Sequence, residues 1–371
     1  MRGSKIVAVA VVVLAVAGAA AYLALPRGGG GSSGGEAVLK VLNYSDYMDP
    51  EVIKEFEREY HVKVVYDEYE AAEEAWAKLK AGGAGYDVII TAHSYVGLAR
   101  QMGLLHPLNK SMLPNLKYLD PRVARHPADP NQDYAVPYMW GTTGIAYLDN
   151  CVDSPPQTWR EFFNTTYLKP YKGRVSLLSE FSEAIMAAMI ALGYDPSVRS
   201  NWNDQVMSQV EQLLQQVKPY LVGFYGASQY SSALVSGQLC LAEAWSGDVL
   251  FLQQNNSHIQ FVNPRDGALY WVDFIVIPRD AKHVKEAHEF INFLLRPDVA
   301  ARNVKYVWYA SGLRKEVLLD WARQHNDTEL VEILENPLVY PSSDVKLIPS
   351  PVLDEEMSRY VETVRLHVLG G

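Results

Sequence analysis

Acidic and aromatic residues occur together in several short segments, a combination suited to binding a cation. Glu180 and Glu183 stand three positions apart at the start of an expected helix and share one face of it. Acids at a helix start also favour the helix dipole, and the spacing does not separate the two roles. Asp273 interrupts an apolar strand two residues after Trp271, and a buried acid there needs an Arg, a Lys or a cationic ligand as its partner. Other segments of mixed aromatic and polar character are N-Y-S-D-Y at 43–47, P-Y-M-W-G at 137–141 and W-S-G-D at 245–248.

The motifs of several enzyme classes are missing from the sequence. There is no Gly-rich phosphate loop before a helix, no G-x-S-x-G nucleophile elbow and no H-E-x-x-H zinc motif. The nine histidines are scattered, and two cysteines are too few for a cysteine-based zinc cluster. We therefore expect no enzyme, no metal site and no cofactor. Cys151 and Cys240 fit one extracellular disulfide and two free buried thiols equally well.

The composition is that of a globular protein with a net negative charge. The 371 residues are 49% hydrophobic and 20% charged, and 33 basic against 43 acidic residues give a formal net charge of −10. This length favours two domains, or a bilobed unit, over a single domain. An acidic chain without a dense block of Lys and Arg is not expected to bind nucleic acid.

The amino-terminal region has the features of a membrane segment followed by a flexible linker. Residues 6–25 carry no charge and would span about 30 Å as a helix, the thickness of a bilayer core. Arg2 and Lys5 precede this run, so the amino terminus is expected in the cytoplasm and the remainder outside. Residues 1–27 are predicted to be an anchor in preference to a cleaved signal, and residues 28–36 a Gly/Ser tether.

The body of the chain alternates strand-like apolar runs with helical periods. Strands predicted at 38–42, 62–66 and 86–91, with helices between them, make a βαβαβ series with a parallel sheet. Asp49 and Pro50 are typical of a helix start. Two α/β lobes around a cleft would bring the ends of such strands to a ligand. The other predicted elements are helices that end at 193 and that span 206–217, 287–294 and 357–368, and strands at 241–245 and 272–277.

Taken in order, these segments resemble the polyamine-binding (spermidine/putrescine-type) solute receptors of ABC importers. The match runs from about residue 38 to the carboxyl terminus. Each pattern is weak alone, and the collinearity of all of them makes the resemblance specific. The matching segments are N-Y-S-D-Y at 43–47, D-Y-A-V-P-Y-M-W-G-T-T-G-I at 133–145, A-W-S-G-D at 244–248, Y-W-V-D at 270–273 and F-I-N-F-L-L-R-P-D-V-A at 290–300.

The resemblance implies a type II periplasmic-binding-protein-like fold, in which two α/β lobes are joined by a hinge. It would be preceded here by the N-terminal hydrophobic helix. By the family pattern, lobe 1 holds residues 37–145 and 272–317, and lobe 2 holds residues 146–271 and 318–371. The chain would then cross between the lobes more than once.

The resemblance also implies which residues line the cleft between the lobes. Glu180 and Glu183 match the amine-binding acids of the family, and Trp271 and Asp273 match its most characteristic pair. Tyr44 stands where the family usually has Trp and keeps an aromatic face there. The implied ligand-binding residues are Tyr44, Ser45, Tyr47, Glu180, Glu183, Trp245, Trp271, Asp273 and Tyr309.

The implied function is capture of a polyamine outside the cytoplasm, at the outer face of the membrane, and its delivery to the permease subunits of an ABC transporter. The receptor is expected to be a monomer held to the membrane by its N-terminal helix, or secreted. Carboxylates accept hydrogen bonds from the ammonium groups of such a ligand, while aromatic faces cover its methylenes and attract its charge.

Three alternatives remain open on the sequence. Residues 92–95, A-H-S-Y, replace the family's usual Ser-x-Tyr, which leaves open a receptor of the same fold for another cationic solute, although Glu183 and Asp273 favour amines. That solute would be a cationic amino acid, a quaternary amine or a metal complex. Paired acids beside aromatic residues also describe the cleft of a glycosidase. Five N-x-S/T sequons fit a structural or adhesive surface protein.

Overall fold

The computed structural model describes residues 37–69 and 72–370. The predicted membrane helix at 6–25 and the tether at 28–36 lie outside the described residues. Within the described ranges, no helix combines the length and the apolar character needed to cross a membrane.

The described part of the chain forms eleven strands and fifteen α-helices. The strands are β1 (Ala37–Tyr44), β2 (Val62–Tyr69), β3 (Val88–Ala92), β4 (Ala135–Leu148), β5 (Val175–Leu178), β6 (Gly223–Tyr225), β7 (Leu241–Trp245), β8 (Ile259–Val262), β9 (Ala268–Val276), β10 (Ala310–Ser311) and β11 (Leu347–Pro349). The helices are α1 (Pro50–Tyr60), α2 (Ala72–Lys80), α3 (His93–Gln101), α4 (Pro121–Ala124), α5 (Trp159–Phe162), α6 (Thr165–Leu168), α7 (Phe181–Ala191), α8 (Asp204–Val217), α9 (Ala227–Val235), α10 (Ser246–Gln253), α11 (Val284–Leu294), α12 (Pro297–Val307), α13 (Lys315–Gln324), α14 (Thr328–Glu335) and α15 (Glu355–Gly370).

These eleven strands belong to one mixed sheet. Eight of them follow the order β2-β1-β3-β9-β4-β7-β5-β6, while β8 and β10 pair with β4, and β11 pairs with β9. β1 is parallel to β2 and β3, as the βαβαβ prediction requires, and β5 is parallel to β6 and β7. β9 and β4 are antiparallel to their neighbours in the middle of the sheet, so two parallel groups of strands are joined through an antiparallel centre.

β4 connects the two parallel groups, and the sequence patterns do not predict it as a strand. Its residues 135–143 pair with β9, and its residues 143–147 pair with β7. Proline and glycine are depleted in strands, so a segment that contains both, as β4 does, is not predicted as a strand. The sheet accommodates Pro137 at a shift of register before Met139. At Gly144 the strand approaches β8 too closely for a side chain.

The predicted elements occur in the structure with bounds that differ by a few residues. Asp49 caps α1 as predicted, and its carboxylate accepts a hydrogen bond from the Glu51 backbone N–H at 2.9 Å. The strand predicted at 62–66 continues to Tyr69. α7 is the helix predicted to end at 193, and all its residues are buried because α5, α8, α15 and β5 pack around it.

Three hydrophobic clusters form the core of the described residues. The first packs β1, β2, β3 and β9 against α1, α11 and α12. The second packs α7, α8 and α15 against β5, and the third packs α9 and α10 against β7. Cys151 follows β4, Cys240 precedes β7, and the two form a disulfide with Cα atoms 5.7 Å apart. The structure thus decides the question that the sequence leaves open, in favour of the disulfide.

Removal of this disulfide is expected to lower the free energy of unfolding by about 2–5 kcal/mol, because the bond closes a long loop in the unfolded chain. Urea unfolding followed by circular dichroism compares the wild type with the double variant Cys151→Ala/Cys240→Ala. A reductant should destabilise the wild type and leave the variant unchanged. Equal unfolding free energies of the oxidised wild type and the variant would contradict the prediction.

Candidate functional site

Asp273 lies in the antiparallel centre of the sheet. It pairs with Ala92 at the end of β3 and with Met139 of β4, and its side chain is buried. The Tyr47 hydroxyl donates a hydrogen bond to its carboxylate at 2.9 Å. Burial raises the pKa of Asp273 to about 7, although the bond from Tyr47 opposes this shift. A cation that reached this carboxylate would stabilise its charged form.

Tyr47 brings a group of aromatic rings to Asp273. It stands between β1 and α1, and the Tyr138 hydroxyl donates to its carbonyl oxygen at 2.8 Å. The Tyr47 ring meets Tyr44, Tyr138 and Tyr309 edge to face, with ring centroids 5.5, 5.7 and 6.2 Å away. These four tyrosines, with Trp271 edge to face against Tyr309 at 5.1 Å between ring centroids, are called the aromatic wall below.

Tyr309 also contacts the beginning of α10. Its hydroxyl donates to the Asp248 carboxylate at 2.5 Å and accepts from the Asp248 backbone N–H at 3.2 Å. The Tyr230 hydroxyl donates to the other oxygen of the same carboxylate. Burial raises the pKa of Asp248, and the two tyrosine hydrogen bonds work against that rise. Gly247 packs so closely under the Tyr309 ring that a β-carbon there would overlap it.

Glu180 and Glu183 differ in exposure although they share one helix start. Glu180 is exposed immediately before α7, and its carboxylate accepts from the Ser182 hydroxyl at 3.2 Å. Glu183 is only 6% exposed, and one of its oxygens has no hydrogen-bond partner in the described residues. Burial and the charge of Glu180 raise the pKa of Glu183 to about 7, while the neighbouring Thr143 hydroxyl lowers it. Glu183 is therefore the buried acid of the pair.

The remaining predicted residues have the following positions. The Ser45 hydroxyl donates to the Tyr69 carbonyl oxygen at 3.4 Å, so a backbone group already accepts from it. Trp245 ends β7, is half-buried and lies opposite Thr143 of β4, the residue whose hydroxyl lowers the pKa of Glu183. Burial raises the pKa of Tyr44 most, the charge of Asp273 raises it next, and the charge of Glu180 makes a smaller contribution in the same direction. The acids of α7 and the aromatic wall thus border one region.

Four residues of this region were not among the predicted site residues: Tyr138, Tyr230, Glu243 and Asp248. Tyr138 and Asp248 lie in two of the mixed aromatic and polar segments of the sequence, 137–141 and 245–248, but nothing in those segments distinguishes them from their neighbours. Glu243 interrupts the apolar strand β7 just as Asp273 interrupts β9, so the same signal identifies it. No local pattern singles out Tyr230, which is fully buried in α9.

The site is suited to cations by its charges and its surfaces. Burial raises the pKa of Glu183, Glu243 and Asp273, and no basic side chain contributes to these three shifts within the described chain. The same part of the chain contains no group of three or more His, Cys, Asp or Glu residues placed to hold a metal ion. Buried carboxylates beside aromatic faces can bind an alkylammonium group, because the first accept its hydrogen bonds and the second attract its charge.

Known proteins similar to this chain are solute-binding proteins. The family model described as bacterial extracellular solute-binding protein matches residues 51–326. The chain is 34% identical over 343 residues to the putrescine-binding periplasmic protein PotF of Escherichia coli, a match that covers 87% of this chain and 89% of that relative. It is 32% identical over 276 residues to the spermidine/putrescine-binding periplasmic protein of Escherichia coli, covering 73% of this chain and 76% of that relative.

A solved structure supports the fold. The spermidine/putrescine ABC transporter substrate-binding protein PotD from Streptococcus pneumoniae superposes with a TM-score of 0.78 at 24% identity, and the match covers 90% of this chain and 99% of that one. The mixed α/β sheet described above is therefore the fold of that protein class, and the predicted α/β class is confirmed.

The protein without ligand is expected to lose stability as the pH rises from 6.5 to 8. An acid whose pKa is raised by folding stabilises the folded state fully below its ordinary pKa, and this contribution is lost as the pH passes the raised value. Glu183 and Asp273 have such raised values, of about 7. Burial lowers the pKa of His93 and His126. Their contribution to stability increases with pH, but it does so at a lower pH than this range.

Thermal unfolding at pH 6.5, 7.2 and 8 measures this decline. The variants Glu183→Gln and Asp273→Asn should each have a shallower decline, since each lacks one of the protons that folding retains. The matched control is Glu362→Gln, an exposed acid of α15 that accepts hydrogen bonds from Arg365. A melting temperature that stays constant or rises over this range in the wild type would contradict the prediction.

Proposed function

Because this chain belongs to the family of bacterial extracellular solute-binding proteins, we propose that it captures a polyamine of the putrescine or spermidine class and delivers it to the permease of an ABC importer. Members of this family bind solutes and are not enzymes, as expected from the sequence. The observation that carries the proposal is the burial of Asp273 beside the aromatic wall and of Glu183 in α7, without a basic side chain acting on either within the described residues.

The proposed ligand supplies what these residues lack. Each of its ammonium groups donates hydrogen bonds to a carboxylate, and a hydrogen bond to a charged group contributes about 1.5–3 kcal/mol. Trp271 and Tyr47 lie next to Asp273, where their faces cover the methylenes of the ligand. Because Glu183 and Asp273 come from different elements, the separation of their carboxylates selects the length of the amine.

We further propose that the cleft lies between two lobes, residues 37–145 with 272–317 and residues 146–271 with 318–371. With these bounds β4 and β9 each cross from one lobe to the other, which makes them the hinge. The bond from Tyr309 to Asp248 would then join the lobes on the closed side of the cleft. The permease would recognise the closed form, and residues 6–25 would hold the monomeric receptor at the outer face of the membrane.

A receptor of the same fold for another cationic solute is the second candidate. It is favoured by residues 92–95, which differ from the family pattern. His93 is buried at the start of α3, with its ring centroid 5.0 Å from that of His126. The Tyr95 ring stacks on Trp76 at 5.5 Å. A subsite that relies on a hydroxyl and a free tyrosine after β3 would therefore have different chemistry here.

Isothermal titration of the full-length protein with putrescine, spermidine, spermine and lysine tests the proposal. We expect tight binding of one polyamine, weakened about 10- to 100-fold in Glu183→Gln and Asp273→Asn, because each variant replaces a charged acceptor by a neutral one. Glu362→Gln is the control for a loss of charge on the surface, and it should bind like the wild type. Tight binding of lysine alone would support the second candidate. No response to any of these four amines by a protein with a normal thermal transition would overturn the polyamine proposal, and it would restrict the second candidate to a quaternary amine or a metal complex.

A further inference from the structure

Glu243 is a fully buried acid that belongs to none of the ligand contacts proposed above. It lies in β7, two residues before Trp245, and is 0% exposed. One of its carboxyl oxygens accepts from the Leu178 backbone N–H at 2.9 Å, and the other has no hydrogen-bond partner in the described residues. The hydrogen bond from Leu178 satisfies a buried backbone N–H at the end of β5, which is a structural role. The second oxygen has no such role.

Glu243 and Glu183 occupy the same side of the sheet. Glu243 pairs with Ile145 of β4, and Trp245 pairs with Thr143, so these side chains point to one face. α7 covers that face, since its side chains form one hydrophobic cluster with Ile145. Glu183 stands in the first turn of α7, and each of the two acids has one buried carboxyl oxygen without a hydrogen-bond partner in the described residues. The charge of Glu183 adds to the effect of burial in raising the pKa of Glu243.

The other ionisable groups around the pair do not neutralise it. On the α7 side, Glu180 adds a further negative charge. At the end of β7, Tyr230 and Asp248 of the flanking helices bond to each other. β4 contributes Ile145 and β5 contributes Val175 and Leu177 to the face of Glu243, and all three are apolar. Two carboxyl groups buried together without a cation cannot both stay charged at low cost.

We propose that Glu243 is a positioning residue that shares a proton with Glu183, and that a ligand ammonium group binding at Glu183 expels this proton. The inference rests on the proposed function, because it requires a cationic ligand at Glu183. In the free protein the pair holds one proton and one negative charge. On binding, the O–H bond of the pair breaks, the proton passes to solvent, and the ammonium group takes its place. The net charge of the buried site is therefore the same before and after binding.

This coupling has a direction in pH. Burial and the charge of Glu183 raise the pKa of Glu243 to about 8, against about 7 for Glu183. The affinity should rise with pH as long as binding releases a proton. With Glu243 present, the rise continues to about pH 8.5. Without an ionisable group at this position, it ends once Glu183 and Asp273 are ionised.

The variant Glu243→Gln separates the charge from the structure, because the amide oxygen still accepts from Leu178. Isothermal titration of the full-length wild type and variant with putrescine, from pH 6.5 to 8.5, measures the affinity. Buffers of different ionisation enthalpy give the number of protons released. Between pH 7 and pH 8.5 the gain in affinity should be about 5- to 10-fold larger in the wild type. At pH 7.5 the wild type should release about half a proton more per putrescine bound. Both proteins bind the same ligand and retain Glu183 and Asp273. The protons that the ligand and these two acids exchange on binding therefore cancel in the comparison.

A ligand-free measurement keeps the inference testable if putrescine does not bind or if one variant is unstable. Thermal unfolding between pH 6.5 and 8.5 should decline less steeply in Glu243→Gln than in the wild type, and Glu243→Met serves as a second variant without an ionisable group. Parallel unfolding and affinity profiles in wild type and variants would overturn the shared proton while leaving polyamine binding intact. A shallower unfolding profile in the variants without any amine binding would support the shared proton and overturn the proposed function together with the expulsion step.

Discussion

The burial of carboxyl groups on which no basic side chain of the described residues acts is the constraint on which the rest of this site depends. Glu183, Glu243 and Asp273 are each removed from water, where a negative charge is costly until a positive one joins it. The fold limits this cost with local hydrogen bonds, from Tyr47 to Asp273 and from Leu178 to Glu243, and with protons that the acids retain. Without a bound cation, the buried acids lower the stability of the folded state. The hydrophobic clusters around them must offset this cost.

The architecture explains why these acids can be held apart at fixed positions. Asp273 is fixed by strand pairing on both sides, and Glu183 lies in the first turn of α7, a helix buried on every face. β4 runs past both, since its first half pairs with the strand of Asp273 and its Thr143 hydroxyl lowers the pKa of Glu183. Strand pairing thus fixes the position of Asp273, and the packing of α7 against β5 fixes that of Glu183, so neither acid depends on a loop for its position.

The residues that the sequence identifies are those whose local pattern is anomalous. Asp273 stands out because it interrupts an apolar strand, and Asp49 because an acid followed by proline is typical of a helix start. β4 does not stand out, because its proline and glycines resemble turn residues until strands from distant parts of the chain pair with it on both sides. The pairing of Cys151 with Cys240 likewise depends on tertiary structure, and Tyr230 resembles any core residue of a helix. Glu243 carries the same anomaly as Asp273 and could have been predicted by the same reasoning.

The placement of the tryptophans has an optical consequence. Trp245 and Trp271 are half-buried beside the acids, whereas Trp140, Trp159 and Trp202 are enclosed in the hydrophobic clusters or in the sheet. Indole emission depends on the polarity around the ring, so an alkyl chain and a cation arriving at Trp271 would shift the emission of the first group only. The enclosed tryptophans provide a constant background within the same molecule. The intrinsic fluorescence of the unlabelled protein would therefore report the binding of the proposed amine.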